Sequence, residues 1–425
     1  MENVIRVSVS EGIDLTLIKT DKFKSNLMSI YIQRKLDEKE ASMNAILPEV
    51  LADGCRKYPS MKDIADRLDE LYGAAMAANT TKNGERQIIS FKLINISERY
   101  ADEDITSESI DFLKNLILDP LVEDGGFKKE YVNLEKENLK NRIKAEINDK
   151  RAYAHKRCIK IMCEDERYSI PSTGTIEDVE AITPENLYNH YKKVINESKV
   201  DIVIEGDFDV DKMQEKVKSA FSMERNYNQS LEREDFIKHP EKVKRVVEKM
   251  DITQGKLVMG YRTNIDYMDK KYYAFAAGCN VLGGGPHSKL FTNVREKESL
   301  CYYVFPTVEK YKGIMLISAG IEFENFEKTE RLIKENLESV KNGDISEKEL
   351  TNTKKALING LRAGCDGIGG LSEFVYSQIF GNTSNTLDGI IEAIENVTVE
   401  DIVDAMKGIE EDTVYFLRNN EGEEN

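Results

Sequence analysis

The feature that most constrains the fold is an internal repeat. The chain opens with V-I-R-V-S-V-S-E-G-I-D-L-T-L-I-K-T and continues with L-M-S-I-Y-I-Q-R, and both segments have the alternation typical of half-buried strands. The second half has the strand K-L-V-M-G-Y-R and the helical run Y-Y-A-F-A-A-G-C-N-V-L-G. A further strand follows in each half, Q-I-I-S-F-K-L-I in the first and I-M-L-I-S-A-G-I in the second. The same order of elements therefore occurs twice.

Both halves also end alike, with a helix and then a strand. Thr183 and Thr398 are predicted N-caps of these helices, because each is followed closely by an acidic residue. The two threonines lie 215 residues apart, while Ser90 and Ser318 in the preceding strands lie 228 residues apart. Offsets that agree within loop-length variation indicate a duplication.

The chain length fits this interpretation. A chain of 425 residues is too long for one compact core and suits two domains of about 200 residues each. We predict a first domain over residues 1–222, a polar linker over 223–240 and a second domain over 241–425. The predicted fold class is α+β, with two homologous domains that each have a mainly antiparallel sheet covered by helices.

Composition excludes several classes of function. The formal net charge of -17 repels a phosphate backbone, so we expect no nucleic-acid partner. No apolar stretch approaches the ~20 residues of a membrane-spanning helix, and no signal peptide is visible. Six scattered cysteines do not form the pattern of a disulfide framework. We therefore expect a cytoplasmic protein without membrane contact.

Residues that bind metals are scarce in this sequence. Only four histidines are present, and no two of them stand four residues apart, as a helical zinc-binding pair does. His155, Cys158 and Cys163 form the only cluster of suitable types, but their spacing matches no common zinc pattern. Half-buried helix residues explain that cluster better, so we expect no cofactor in this chain.

Residues 283–304 carry a motif, G-G-G-P-H-S-K-L-F-T-N-V-R-E-K-E-S-L-C-Y-Y-V. It resembles the second-domain signature of the pitrilysin/insulinase-type zinc metallopeptidases, the family of mitochondrial processing peptidase. That signature has a glycine-rich turn, then Ser-Arg/Lys-Leu-Phe, Arg-Glu-Lys and Leu-x-Tyr. With the duplication, the resemblance covers essentially the whole chain. It implies two homologous domains joined as a clamshell around an internal chamber.

The first-domain helix of active family members carries H-x-x-E-H, in which two histidines bind zinc and the glutamate activates the zinc-bound water. In N-A-I-L-P-E-V-L-A-D-G-C-R-K-Y-P-S, G-C-R-K-Y-P aligns with the family's Gly-Thr-x-x-Tyr-Pro. This alignment places Ala45 and Glu49 at the histidine positions and Pro48 at the glutamate. Arg142 occupies the position of the third ligand, in E-K-E-N-L-K-N-R, where Glu135 matches an auxiliary acid. The resemblance therefore implies that this chain has neither catalytic residues nor zinc.

Pro48 also affects the predicted helix. Proline lacks a backbone N–H and strains a helix that runs through it, so the sequence predicts a helix start at Pro48.

The resemblance assigns substrate-binding roles to residues of the second domain. It implies that Arg295 and Tyr302 bind the backbone carbonyl of a peptide, while an ordinary reading makes them a surface arginine and a half-buried tyrosine. It also implies that Gly283, Gly284 and Gly285 line the substrate chamber, while the ordinary reading is a turn that requires positive φ. The two readings of the glycines are compatible.

The resemblance favours the non-catalytic subunit of a two-chain zinc peptidase, as in bacterial relatives encoded as inactive/active pairs. Such a subunit forms a heterodimer with a zinc-bearing homologue, completes its chamber, binds peptide and so serves proteolysis. One alternative is a pure scaffold with the peptidase fold, and another is an independent metal-dependent hydrolase. The identity of the partner, the substrate and the formation of a homodimer by the chain alone stay open.

Overall fold

The computed structural model describes residues 4–101, 103–228, 231 and 236–420. The strands are β1 Val4–Ser10, β2 Ile13–Lys19, β3 Ser25–Lys35, β4 Ala75–Asn83, β5 Arg86–Ile96, β6 Val122–Glu123, β7 Gly126–Phe127, β8 Lys199–Gly206, β9 Lys244–Lys249, β10 Gly255–Arg262, β11 Cys301–Glu309, β12 Ile314–Ile321 and β13 Glu410–Arg418. The α-helices of the first half of the chain are α1 Glu38–Asp53, α2 Met61–Glu70, α3 Ile105–Leu118, α4 Lys129–Ala145, α5 Lys150–Met162, α6 Ile176–Glu180, α7 Pro184–Glu197 and α8 Val210–Phe221. The later α-helices are α9 Tyr272–Gly283, α10 Phe326–Lys341, α11 Glu347–Gly364, α12 Gly370–Phe380, α13 Leu387–Glu395 and α14 Val399–Met406. Within the described ranges, no helix combines the length and the apolar character that a bilayer crossing requires.

Two large sheets repeat one topology. The first has the strand order β1-β2-β8-β3-β5-β4, and the second has β9-β13-β10-β12-β11. In each sheet one parallel pair, β2 with β8 or β9 with β13, adjoins strands that pair antiparallel. Apart from β1, every strand of the first sheet has a counterpart at the same place in the second. The predicted α+β fold with two homologous, mainly antiparallel domains is confirmed.

The predicted helix starts near the ends of the two repeats are also present. Thr183 caps α7 and Thr398 caps α14, each through a reciprocal capping box with the third helical residue. α7 leads into β8 and α14 leads into β13, at equivalent places in the two sheets.

The described residues form two compact units that do not follow sequence order strictly. Unit 1 comprises 4–144, 170–231 and 365–376, and unit 2 comprises 145–169, 236–364 and 377–420, as far as these ranges are described. Segment 145–169 thus joins the second repeat, and segment 365–376 joins the first. The predicted linker over 223–240 falls between the two repeats and lies partly outside the described residues.

Apolar packing explains why α5 belongs to unit 2 although it precedes the end of the first repeat in sequence. One face of the second sheet packs against α9, α10 and α14, and the opposite face presents apolar side chains that need a cover. α5 supplies it, with Cys158 and Met162 packed over Val258 and Tyr415. Gly260 permits this close approach, because a Cβ there would lie 2.8 Å from the Met162 sulfur.

The predicted helix start at Pro48 is wrong. α1 begins at Glu38, is capped by Asp37 and runs through Pro48 to Asp53. A proline inside a helix costs about 3 kcal/mol. Burial outweighs that cost, because most of the helix, including Ile46 and Leu51, is buried in the core of unit 1.

Candidate functional site

The four positions aligned with the zinc site lie on α1 and α4 of unit 1. Ala45 and Pro48 are buried in the core and carry no group that could bind a metal. Glu49 and Arg142 form an ion pair, with Nη1 of Arg142 3.1 Å from Oε1 of Glu49. The guanidinium of Arg142 therefore lies next to the carboxylate at the aligned ligand position.

Two further carboxyl groups, those of Asp53 and Glu135, lie close to Glu49. Burial, then the charges of Glu135 and Glu49, raises the pKa of Asp53 to about 7. Oδ2 of Asp53 is buried and has no hydrogen-bond partner among the described residues. Burial also raises the pKa of Glu135, although Asn138 donates a hydrogen bond of 2.7 Å to its Oε1. Both shifts favour the protonated form of the carboxyl group.

Hydrogen bonds between neutral groups hold this part of α1 in place. Asn44 is fully buried, and its amide nitrogen donates to Gln87 over 2.9 Å. Nε2 of His190 lies 2.7 Å from Oδ1 of Asn44. Burial lowers the pKa of His190 to about 4, so the ring is neutral near pH 7. The helix is anchored without a metal.

The residues at this place do not fit zinc. A structural or catalytic zinc site needs at least three nitrogen, sulfur or oxygen ligands from the protein. Here one ligand position is alanine, one is an arginine, and the third is a glutamate bound to that arginine. Across the described ranges, no group of three or more His, Cys, Asp or Glu residues could hold a metal ion.

The second candidate region lies in unit 2 and begins with an unusual helix. Phe291–Lys297 forms a π-helix, a rare conformation that occurs frequently at functional sites. It presents Arg295 at the surface, with the guanidinium carbon 4.7 Å from the centre of the Phe291 ring. Asn293 donates a 2.6 Å hydrogen bond to the buried Asn336 on α10, which fixes the rotation of this helix.

The chain then makes two more irregular turns before it joins the sheet. Ser299 has φ of +53°, a left-handed conformation that is uncommon for a residue other than glycine. In the pairing of β11 with β12, Cys301 faces Ile321 and Tyr303 faces Gly320, so Tyr302 is the extra residue of a β-bulge. Bulges redirect side chains, and Tyr302 is 75% exposed.

These irregular segments form one pocket of about 360 Å³. It brings together Arg295 and Tyr302, the two residues that the sequence proposes for peptide binding. The other residues that line it are Ser299, Leu300, Cys301, Gly320 and Glu322. The pocket thus offers a guanidinium, a phenol and a carboxylate within the size range of ligand sites.

The glycine segment does not join this pocket. Gly283 ends α9 and Gly284 follows as its C-cap, and none of the three glycines from 283 to 285 has positive φ. The expected positive-φ turn is therefore wrong. Close contacts explain two of the glycines, because a Cβ at Gly283 would lie 2.1 Å from Cδ of Pro306, and one at Gly284 would lie 2.1 Å from Nδ2 of Asn280. Their role in lining a chamber stays a prediction.

The other cluster of potential ligands is part of a core. Cys158 and Cys163 are fully buried in the apolar layer between α5 and the second sheet. Burial raises the pKa of Cys163 to about 12, which disfavours the thiolate that a metal requires. This environment supports the interpretation of the cluster as structural.

Comparison with known proteins shows the family of this chain. Residues 181–357 match the family model described as the peptidase M16 inactive domain. The probable inactive metalloprotease YmfF of Bacillus subtilis strain 168 is 37% identical over 415 residues, which cover 97% of each chain. The chain belongs to the M16 peptidase family. It is an inactive homologue of the zinc metallopeptidases, so the interpretation of the 283–304 signature is confirmed.

Two other proteins resemble this M16 chain at lower sequence identity. The uncharacterized zinc protease YmxG, also of Bacillus subtilis strain 168, is 26% identical over 234 residues, 54% of this chain and 56% of that protein. A conserved protein from Enterococcus faecalis V583 has a solved structure with a TM-score of 0.92 and 29% identity. That match covers 99% of this chain and 100% of the other.

Sequence reasoning missed three residues of these two regions. Asp53 stands one helical turn after Glu49, so helical spacing could have identified it. Phe291 lies inside the quoted signature, four residues before Arg295. Glu322 had no signal in the sequence, because only the pairing of β11 with β12 brings it to the pocket.

Proposed function

We propose that this M16 chain is the non-catalytic subunit of a two-chain zinc peptidase. It binds the peptide backbone through Arg295 and Tyr302, and a zinc-bearing homologue supplies the catalytic metal. The observation that carries the proposal is the pocket built from a π-helix, a left-handed serine and a β-bulge. Such irregularities cost free energy and persist where the surrounding structure holds them for a function.

The chemistry of the pocket suits a peptide carbonyl. The guanidinium of Arg295 donates hydrogen bonds in a fixed plane, and the hydroxyl of Tyr302 is a further donor. Donors of this kind stabilise the negative charge that develops on a carbonyl oxygen during hydrolysis. Since the first repeat of this chain lacks residues for zinc, the proposal assigns the attacking water and its metal to the partner.

The relatives support a paired arrangement. One organism, Bacillus subtilis strain 168, has both a probable inactive metalloprotease and a zinc protease that resemble this chain. A duplicated gene that loses its metal ligands remains useful when a sister chain retains them. The proposed place of action is the cytoplasm, as the scattered cysteines predict.

The test is complementation between two purified chains. The full chain and a zinc-bearing M16 homologue from the same genome are mixed, and cleavage of a fluorogenic peptide library is measured. Size-exclusion chromatography with light scattering follows association, and elemental analysis follows zinc in each species. We expect activity from the mixture that neither chain shows alone, with zinc only in the partner.

Three results would overturn the proposal. Zinc bound in one-to-one ratio by this chain, together with cleavage by this chain alone, would support an independent hydrolase. The scaffold alternative would be supported if the two chains form a stable heterodimer, the partner is fully active by itself, and changes at Arg295 leave the activity of the heterodimer unaffected. A homodimer of this chain that persists in the presence of the homologue would likewise contradict the paired arrangement.

A further inference from the structure

The pocket in unit 2 contains two opposite charges that are not neutralised. Arg295 and Glu322 both line it, and neither forms an ion pair with the other or with any other residue that the structure describes. Two other carboxylates in this part of unit 2 are paired: Glu298 accepts from Lys328 over 2.7 Å, and Glu330 binds Lys334. Two free charges of opposite sign in one pocket are suited to a ligand that carries both complementary groups.

Strand pairing fixes the position of Glu322. The residue follows β12 directly, beside the edge strand β11, and its backbone is extended with φ of -70° and ψ of 149°. Its side chain makes no capping hydrogen bond to the short helical turn that follows. The carboxylate is exposed and available, and a strand of the sheet sets its place.

We propose that Glu322 determines the substrate class of this pocket: an extended peptide with a lysine or arginine close in sequence to the carbonyl that Arg295 binds. The inference rests on the proposed function, because it concerns the same pocket. A cationic side chain is repelled by Arg295 and attracted by Glu322, so the two charges orient the peptide in one direction.

Two further features agree with a basic, extended ligand. β11 is the last strand of its sheet, and its outer edge offers backbone N–H and C=O groups to a peptide strand. The net charge of -17 attracts basic peptides over a longer range and accelerates their encounter with the chain. An acidic peptide side chain would meet repulsion from Glu322, and an apolar one would leave its carboxylate unpaired.

The experiment measures binding by the full chain to fluorescein-labelled peptides that differ at one position, which holds lysine, glutamine or glutamate. Fluorescence anisotropy gives each Kd. We expect the lysine peptide to bind about threefold to fivefold more tightly than the glutamine peptide, since exposed ion pairs contribute up to about 1 kcal/mol. The glutamate peptide should bind most weakly, and added salt should reduce these differences.

Three variants separate the contributions. Glu322→Gln should abolish the preference for lysine over glutamine, and Glu322→Lys should reverse the order so that the glutamate peptide binds best. Glu324→Gln is the matched control, because Glu324 is also exposed, lies two residues further on and does not line the pocket. Circular dichroism verifies that each variant is folded.

The outcomes distinguish this inference from the function on which it rests. If Arg295→Ala weakens all peptides while Glu322→Gln keeps the lysine preference, the assignment of Glu322 is overturned and peptide binding stands. If no peptide of the series binds the chain or its heterodimer, peptide binding itself is overturned. A reversal by Glu322→Lys that Glu324→Gln does not share supports the inference.

Discussion

The α1–α4 face of unit 1 and the 291–302 segment of unit 2 occur on sheets of the same topology, yet their local structures differ in kind. The first is regular: α1 is a continuous helix with Ala45 and Glu49 at the aligned ligand positions and Pro48 at the position of the catalytic glutamate, and Glu49 pairs with Arg142 of α4. The second is irregular at three consecutive places and projects Arg295 and Tyr302 outward. In this chain the regular region lacks the residue types of a zinc site, and the irregular region presents a guanidinium and a phenol at the surface.

The comparison shows where structural strain is informative. A helix that no longer binds metal can relax into ordinary packing, because ion pairs and amide hydrogen bonds satisfy its polar groups. A π-helix and a bulge that served no purpose would be replaced readily by regular structure.

The largest effect is expected at the irregular segment. In the active heterodimer, Arg295→Ala and Tyr302→Phe should each lower turnover, by up to about 10²-fold, as expected for the loss of one donor to a developing oxyanion. Steady-state kinetics with a fluorogenic peptide measures the change in kcat and KM.

Lys297→Ala provides the matched control for these variants. Lys297 lies on the same π-helix as Arg295, is exposed and does not line the pocket. Lys289 is less suitable, because it is buried and lies 3.2 Å from Glu349 in an ion pair. If turnover is unchanged in both the Arg295 and the Tyr302 variants, the pocket has no part in catalysis, and the scaffold alternative is favoured.

The next effect concerns the regular face and depends on pH. Asp53→Asn should stabilise the protein at pH 8 by about 1–2 kcal/mol, after allowance for solvent screening, because the buried Asp53 has its pKa raised to about 7. An unfolded aspartate has a pKa of about 4, so from about pH 4 to pH 7 the native state holds the extra proton. The stability of the natural protein relative to the variant therefore falls as the pH rises through that window.

Urea unfolding at several pH values measures this difference. The gain should shrink on acidification below about pH 7 and vanish near pH 4. Asp111→Asn, an exposed change on α3, serves as the comparison and should show little dependence. An Asp53→Asn gain that stays constant from pH 8 to pH 4 would show that the carboxyl is not held protonated.

A smaller effect is expected from the ring beneath Arg295. Phe291→Leu removes the aromatic face and should weaken peptide binding by about twofold to fivefold, which corresponds to about 0.5–1 kcal/mol for an exposed cation–π contact. Phe291→Tyr should restore most of the affinity, because it keeps the ring. Equal losses in both variants, measured by fluorescence anisotropy, would attribute the effect to packing.

The smallest effect is expected at the ion pair that replaces the metal site. A double-mutant cycle of Glu49→Ala and Arg142→Ala should give a coupling of about 0.5 kcal/mol, because the side chain of Arg142 is 51% exposed and that of Glu49 is 28% exposed. Thermal or urea unfolding of the four proteins supplies the cycle. A coupling above about 2 kcal/mol would mean that the pair stabilises this region as a structural metal would.

The sequence alone was sufficient for the fold class, the duplication and the loss of the zinc ligands. Alternating apolar residues identify strands by local periodicity, and threonine caps mark helix starts, so these features depend on neighbours in the chain. Once the resemblance aligns the positions, residue type decides the loss, since no conformation gives Ala45 a group that binds zinc or Pro48 a side chain that accepts a proton.

Tertiary structure decided the features that depend on residues distant in sequence. The helix runs through Pro48 because burial in the core of unit 1 outweighs a local penalty. Segment 145–169 joins unit 2 because the open face of that sheet needs an apolar cover. Tyr302 points outward and Glu322 reaches the pocket because a bulge shifts the register of β11 on β12. Local sequence patterns carry no information about such a register, since it arises from pairing between strands.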